Sequence, residues 1–338
     1  MKINTEQLKK ALDFLSMGIA KSNDKYETLL VELETSNGRL KGYTNDGVNK
    51  LGVRICDTTE NFNATLKFDI LYSLVKSCKE EEFTLEAGKN YATFTTPTFS
   101  CKLLVFDTHI ARVKMVQFTD KVAKDTFTPY LPVIKTILNP NHVVECYRYV
   151  FFGDYIMVTD TDNIAVINEK IFNNILISYH SLEILNYLGD FEYAVGRNGD
   201  GQEVICAFSD DRAAEIAIMD KTDYQYDDLI ALFNNNSTNS VILKKESLSL
   251  AINYASLFDS DKVDLIFSKN GVTMEIPSAD LKYVISSEPC EDMKYSISID
   301  LMKKFLIAGD EIKICYDDST LIYVSNDAVK TIYGVEET

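Results

Sequence analysis

Glycine and proline are scarce in this chain, 14 and 6 in 338 residues, which excludes collagen-like, linker-rich and glycine-loop-dominated sequences. Nowhere do about 18 apolar residues run together, and the opening MKINTEQLKK carries no apolar signal segment. A secreted or membrane-spanning protein is therefore not expected; the expectation is a cytoplasmic one. Histidine is limited to His109, His142 and His180, far apart and without an HxH or HExxH pairing, so a zinc hydrolase site is not expected. There is no GxSxG, no GxxxxGKS/T, and no GxGxxG following a strand. The seven cysteines (Cys56, Cys78, Cys101, Cys146, Cys206, Cys290, Cys315) are odd in number and form no CxxC. They read as small buried hydrophobes of a reducing cytosol.

What is present is globular: 46% hydrophobic and 25% charged residues, enough for two or three domain cores. The formal charge is −17 and it is uneven. Residues 1–118 hold 16 basic and 15 acidic side chains, residues 119–235 hold 8 and 19, and residues 236–338 hold 10 and 17. A basic coat for nucleic acid is excluded, whereas a few placed lysines are not. Gly196-x-x-Gly199-x-Gly201 joins two strand-like runs and reads as a hairpin loop. Asp160-x-Asp162 lacks the sixth-position Gly and twelfth-position Glu of a calcium loop and reads as a turn. Glu80-Glu81-Glu82 reads as a solvated loop. No metal, cofactor or catalytic constellation is expected.

The segments 1–118, 119–235 and 236–338 follow one plan. Leu8, Leu12, Leu15 and Ile19 form a helical stripe after the short extended stretch Met1–Asn4. Strand-like Thr28–Glu34 and Arg39–Thr44 follow, joined by Ser36-Asn37-Gly38, the residue choice of a tight hairpin. A second helix carries Leu71, Leu74, Val75 and Cys78, and three further strand-like runs close the segment. The second helix recurs: Leu66-x-Phe68-Asp69-x-Leu71-x-x-Leu74, Ile177-x-Tyr179-His180-x-Leu182-x-x-Leu185, and Ile297-x-Ile299-Asp300-x-Met302-x-x-Phe305. Asp69 and Asp300 read as caps or first-turn acids, and Ser247 as a cap of the third segment's first helix. The turn before each second half recurs as Thr44–Val48, Thr159–Ile164 and Ser268–Val272. Spacing of roughly 110 residues makes this an internal repeat. Each unit is expected to be two amphipathic helices packed on antiparallel sheets, an α+β class, with Asn234–Asn239 as a polar linker.

This plan resembles the beta subunit of bacterial DNA polymerase III, the replication sliding clamp. MKINTEQLKKALDFLSMGIAK resembles that family's first strand and helix, and RLKGYTNDGVNKLGVRI its strand–turn–strand segment. TLKFDILYSLVKSCKEEEFTLE is similar to its second helix and following strand. IMVTDTDNIAVI resembles its ATDG-like turn, and YQYDDL its FPDY linking motif. The resemblance covers nearly the whole chain and lies in order and spacing, as in a divergent or bacteriophage-encoded member. It implies three clamp domains (1–118, 119–235, 236–338) and homodimeric rings around duplex DNA, with DNA polymerase and clamp loader as further partners. It implies no enzymatic activity and no cofactor. The alternative is a clamp-like protein-binding module that does not encircle DNA.

The same resemblance assigns roles to residues. Helices lining the hole would meet phosphates through Lys9, Lys10, Lys21, Lys67, Lys76 and Lys79 of the first domain. Lys135 would serve in the second, and Lys244, Lys245, Lys303 and Lys304 in the third. A partner-peptide cleft between the second and third domains would draw on Thr159, Asp162, Ile164, Val166, Leu229 and Ile230. Ile332, Tyr333, Gly334 and Val335 would come from the C-terminal run, which departs from the family's Met-Pro-Met-Arg-like ending. The joint between subunits would continue a sheet through edge strands near Ser100–Val105 and Ile266–Met274.

Overall fold

The computed structural model describes residues 1–20, 26–114, 117–233, 239–258, 260–306, 310–316, 321–325 and 328–334. Among them no helix is long and apolar enough to cross a membrane. The order of elements repeats three times. The first repeat is β1 (Lys2–Asn4), α1 (Thr5–Leu15), β2 (Leu30–Ser36), β3 (Arg39–Asn45), β4 (Asn49–Asp57) and β5 (Asn63–Lys67). It continues with α2 (Phe68–Ser77), β6 (Glu82–Ala87), β7 (Tyr91–Thr95) and β8 (Ser100–Leu104). The second is β9 (Asp120–Val122), α3 (Leu131–Ile137), β10 (Tyr149–Phe152), β11 (Ile156–Thr159), β12 (Asn163–Ile167) and β13 (Ile175–Ser178). It continues with α4 (Tyr179–Leu188), β14 (Phe191–Arg197), β15 (Glu203–Phe208) and β16 (Arg212–Ala217). A short α5 (Tyr226–Leu232) precedes the third repeat. That repeat is β17 (Asn239–Lys244), α6 (Lys245–Ala255), β18 (Lys262–Ser268), β19 (Gly271–Ile276), β20 (Leu281–Ser286), β21 (Met293–Ser298), α7 (Ile299–Phe305), β22 (Glu311–Tyr316), β23 (Leu321–Ser325) and β24 (Val329–Gly334).

The chain forms two compact units. Unit 1 is residues 1–128 with 180–218; unit 2 is residues 129–179 with 219–338. The middle repeat is divided because each of its halves completes a neighbour's sheet. Unit 1 holds the eight-stranded sheet β5-β2-β3-β4-β16-β15-β14-β9 and the four-stranded sheet β1-β6-β7-β8. Unit 2 holds the eight-stranded sheet β13-β10-β11-β12-β24-β23-β22-β17 and the four-stranded sheet β20-β19-β18-β21. In both large sheets the fourth strand's position is the same: the third strand after a repeat's first helix (β4, β12) pairs with the next repeat's last strand (β16, β24). Among the described residues the corresponding strands left without such a partner are β20 and β8. Ile266–Met274, expected at an edge, lies in β18 and β19, and both are paired on two sides; β20 is the edge.

The helices form as their apolar spacing dictates, with corrections at their ends. Asn4 caps α1, its side chain accepting from the Gln7 amide at 3.0 Å, and Leu8, Ala11, Leu12 and Leu15 are buried. Ile19 is not part of that helix. A Cβ at Gly18 would stand 2.5 Å from Thr44 Oγ1, so the chain turns there against β3, and Ile19 is extended. Asp69 and Asp300 are first-turn acids; the α7 cap is Ser298, accepting from the Leu301 amide at 3.1 Å. Ser247 is inside α6, which starts at Lys245. Asn37 (φ 53°) and Gly38 (φ 72°) make the expected hairpin turn. Of the expected linker, residues 234–238 lie outside the described residues, and Asn239 opens β17.

Candidate functional site

In unit 2 the β11–β12 turn is closed by Asp160. Its carboxylate accepts from the Asn163 amide at 2.7 Å and the Asn163 side chain at 3.0 Å, which holds the turn. Antiparallel register puts Met157 beside Val166 and Thr159 beside Ile164, then Ile164 beside Ile332 across the joint to β24. Directly opposed residues share a sheet face. On this face Ile164 and Val166 join Cys146, Tyr147, Phe151, Met157, Leu176 and Tyr224 in one core, and Leu229, Ile230 and Phe233 of the α5 segment pack over it. A hollow of about 180 Å³ remains between α5 and the joint, lined by Tyr155, Val166, Asn168, Ile230, Phe233, Ala328 and Lys330.

Of the residues assigned to the cleft from sequence, Thr159, Ile164, Val166, Leu229, Ile230 and Ile332 are brought to this face. Thr159 is fully buried and its hydroxyl donates to the Asn163 carbonyl at 2.9 Å, so it shapes the turn and offers no group to a ligand. Asp162 is exposed and Gly334 donates to its carbonyl at 3.0 Å. Tyr333 faces the other way: its hydroxyl donates to the Lys304 carbonyl at 3.2 Å and its ring lies 5.1 Å from Phe305. The alternation of a strand forces this once Ile332 is on the cleft face. Val335 lies outside the described residues. Tyr155, Phe233 and Lys330 were not anticipated, although Phe233 follows Ile230 at helical spacing and Lys330 precedes Ile332 at strand spacing. The Tyr224 hydroxyl is buried with no hydrogen-bond partner among the described residues, and burial raises its pKa well above the ordinary value.

The corresponding joint in unit 1 shows what a joint of other chemistry looks like. Asp46 closes its turn as Asp160 does, accepting from the Asn49 amide at 2.6 Å and the Asn49 side chain at 3.0 Å. Aligning Asn49 with Asn163 sets Lys50 in the place of Ile164 and Glu215 in the place of Ile332. An aliphatic pair in one joint is thus an ion pair of 2.6 Å in the other, with Glu215 only 2% exposed. The connector from the first repeat crosses the same sheet. Glu32 of β2 accepts from Arg112 at 2.8 and 2.9 Å and from the Ile110 amide at 2.7 Å, and the Lys114 amide points at Glu215 at 3.4 Å. The unit 2 joint is apolar and open where the unit 1 joint is charged and strapped.

The assigned lysines lie on or beside helices. Lys9 and Lys10 are on α1, Lys67 just before α2, Lys76 in its last turn and Lys79 just beyond. Lys135 is in the last turn of α3, Lys244 and Lys245 meet at the start of α6, and Lys303 and Lys304 end α7. Lysines in a last turn complement the helix dipole whatever else they do. Lys9, Lys67 and Lys303 are within 3.8, 3.1 and 2.8 Å of Glu6, Asp69 and Asp300. Lys10, Lys76, Lys79, Lys135 and Lys244 are exposed and make no ion pair among the described residues; Lys245 and Lys304 are half-buried. Lys21 lies outside the described residues. No group of three or more His, Cys, Asp and Glu side chains among the described residues could hold a metal ion.

No protein-family model matches the sequence and no curated protein matches it. Solved structures do match. The Helicobacter pylori beta clamp bound to a DNA ligase peptide superposes with a TM-score of 0.83 at 14% identity over 100% of both chains. The DNA polymerase III beta subunit of Thermotoga maritima gives 0.83 at 13% over 100% of this chain and 99% of that one. The sliding clamp of Bacillus subtilis gives 0.84 at 12% over 100% and 98%. Identities this low establish architecture, and along its whole length this chain has the fold of the bacterial DNA polymerase sliding clamps.

Proposed function

We propose that this protein is a DNA sliding clamp: two copies close head to tail into a ring around duplex DNA and tether a polymerase. The observation that carries the reading is the pattern of used and unused strand edges. Each chain makes the same joint twice, β4 to β16 and β12 to β24, and keeps one spare edge of each kind, β20 and β8. A spare pair on a chain of three repeats is satisfied by a second chain through the same geometry, a heterologous contact that closes if the rotation suits. Leu104 on β8 and Val284 on β20 are 52% and 57% exposed, as an unfilled joint requires. In this reading the domains are residues 1–118, 119–235 and 236–338. Exposed lysines beside the helices give weak, screened, sequence-blind contacts to phosphate. The hollow beside Val166 and Ile230 takes an apolar partner peptide from the polymerase or the loader. The setting is the cytoplasm of a bacterial or phage-infected cell.

Processivity then comes from topology, since tethering keeps the polymerase at high effective concentration near the primer end. The test is solution mass by light scattering over a concentration series, followed by retention on nicked circular DNA before and after linearisation, with loader supplied. Mass near twice 38.2 kDa, with retention on circles and loss from linear ends, is expected. A strict monomer retained on neither would overturn the ring and favour a binding module of the same fold.

A further inference from the structure

The walls of the hollow beside α5 follow from strand register. Pairing sets Met157 of β11 opposite Val166 of β12, and Val166 opposite Lys330 of β24. One step further along, the Asn168 amide donates to the Ala328 carbonyl at 2.9 Å, and the same antiparallel pairing brings Tyr155 beside Asn168. Val166 and Ala328 are therefore the floor, and Ile230 and Phe233 of the α5 segment are the wall. Tyr155, Asn168 and Lys330 bring a hydroxyl, an amide and an ammonium to the same hollow. We propose that it captures the C-terminal residue of a partner protein, whose apolar side chain meets the floor and wall and whose own carboxylate meets Lys330.

Charge and size select the occupant. The three polar side chains can all donate, one is a cation, and none has a hydrogen-bond or ion-pair partner among the described residues. No acidic side chain among the described residues lines the hollow. The acids next in sequence to its walls are engaged elsewhere: Asp154 holds Lys170 at 2.6 Å, and Glu169 accepts from the Tyr130 hydroxyl at 3.0 Å. Asp327 lies outside the described residues. On a chain of formal charge −17, an apolar hollow with an unpaired lysine and no lining acid suits an anion joined to an apolar group. Its volume of about 180 Å³ is below the roughly 300–1,000 Å³ of pockets that enclose whole small-molecule ligands, so it has room for one residue rather than a run. An Asp or Glu beside an apolar residue needs two. A chain end carries its side chain and its carboxylate on one Cα, which decides for the terminal residue. The inference rests on reading this hollow as a peptide site and adds which part of the partner enters it.

The test uses the full chain and a fluorescein-labelled peptide, Gly-Ser-Gly-Leu-Phe, as the free acid and as the C-terminal amide, followed by fluorescence polarisation. The acid should bind at least tenfold more tightly than the amide, and the difference should shrink as salt rises. Lys330 is exposed, and Lys330→Met keeps the length of its stem. That variant should bring the acid down to the level of the amide and leave the amide unchanged. Ile230→Asp should weaken both. Equal binding of acid and amide by the native chain, or a Lys330→Met variant that weakens both alike, would overturn the inference and leave the peptide reading standing. So would an amidated Gly-Leu-Phe-Glu-Gly that binds as tightly as the free acid, which would assign Lys330 to an acidic side chain within a partner. If neither peptide binds the native chain, or both bind Ile230→Asp as tightly as the native chain, the inference falls together with the peptide reading.

Discussion

Replacing Lys50 by methionine should loosen the joint of unit 1 specifically. The substitution keeps the length of the side chain and removes its charge, leaving Glu215, 2% exposed, without its partner. Removing one member of a buried pair costs about 3–5 kcal/mol. Lys50 is 19% exposed and the Lys114 amide is near Glu215, so ~3 kcal/mol is the appropriate end of that range. At 1.4 kcal/mol per tenfold, exchange of the β4 and β16 amides should speed up roughly a hundredfold. Cys206 supplies a second readout. It is opposite Glu215 on β15, and its thiol is pushed up to about 11, by burial first and by Glu215 second. It should resist alkylation at pH 8 in the native protein; loss of Lys50, whose charge lowers that pKa, would slow the reaction further in a closed joint, so faster alkylation of Lys50→Met reports opening of the joint and not a change in the thiol's acidity. The double variant Lys50→Ile/Glu215→Ile copies the second joint, and exchange of a buried ion pair for apolar residues is often neutral or stabilising by about 1–4 kcal/mol. Exchange should return toward the native rate. Unchanged exchange in Lys50→Met, or a double variant looser than the single one, would refute the equivalence of the two joints.

Three further outcomes follow from the same geometry. Burial alone would push the Glu32 carboxyl up, but bonds from Arg112, His109 and the Ile110 amide outweigh it and hold it below its ordinary 4.5. Its stabilisation is complete above that value and is lost as pH falls through the depressed one, so Glu32→Gln should flatten the acid limb of the melting temperature between pH 7 and 3; a parallel profile would contradict this. Tyr224→Phe removes a buried hydroxyl that has no partner among the described residues, so the urea midpoint should rise, by about 1 kcal/mol in stability; a fall would mean that the hydroxyl is bonded. Lys76→Glu with Lys79→Glu should weaken duplex binding and flatten its salt dependence while leaving the solution mass unchanged, as titration in increasing salt would show.

The repeat was legible because helix and strand periods are local signals. Leu8, Leu12 and Leu15 are a buried stripe, Asn37-Gly38 is the hairpin turn, and α7 begins where the third copy of the Leu-x-Phe-Asp pattern places it. What local pattern does not carry is partnership across the chain. That the middle repeat lends each half to a different sheet depends on β4 finding β16 more than 150 residues later, as Lys50 and Glu215 show at a separation of 165. The turn register illustrates the same limit. Matching Thr44 with Thr159 is natural by eye, whereas the bonded pairs are Asp46 with Asn49 and Asp160 with Asn163. In the cleft the aliphatic residues were readable, but Ile332 and Tyr333 were assigned to it together, whereas neighbouring residues of a strand face opposite sides and β24 sends the Tyr333 ring to Phe305. Tyr43 and Arg112 meet only in three dimensions, and nothing in their spacing suggested the contact.

The chain uses one joint geometry with two chemistries, the proposed ring would add a third, and the differences bear on where such a ring would open. The β4–β16 joint has a buried ion pair and a connector strapped by Glu32. The β12–β24 joint has Ile164 against Ile332 with α5 packed over the same face. Both are made within one chain, where they form once on folding. The edges of β8 and β20 present Leu104 and Val284 to solvent, and in the proposed ring a joint between them could be made and broken with each chain intact. Separating a buried ion pair returns each charge to water after a desolvation cost of several kcal/mol per ion has been met in closing. Non-directional apolar contact added to strand pairing carries no such requirement of geometry at each closure. In the proposed ring the joint between chains is therefore the one suited to repeated opening, and the ion pair sits where opening would unravel a subunit.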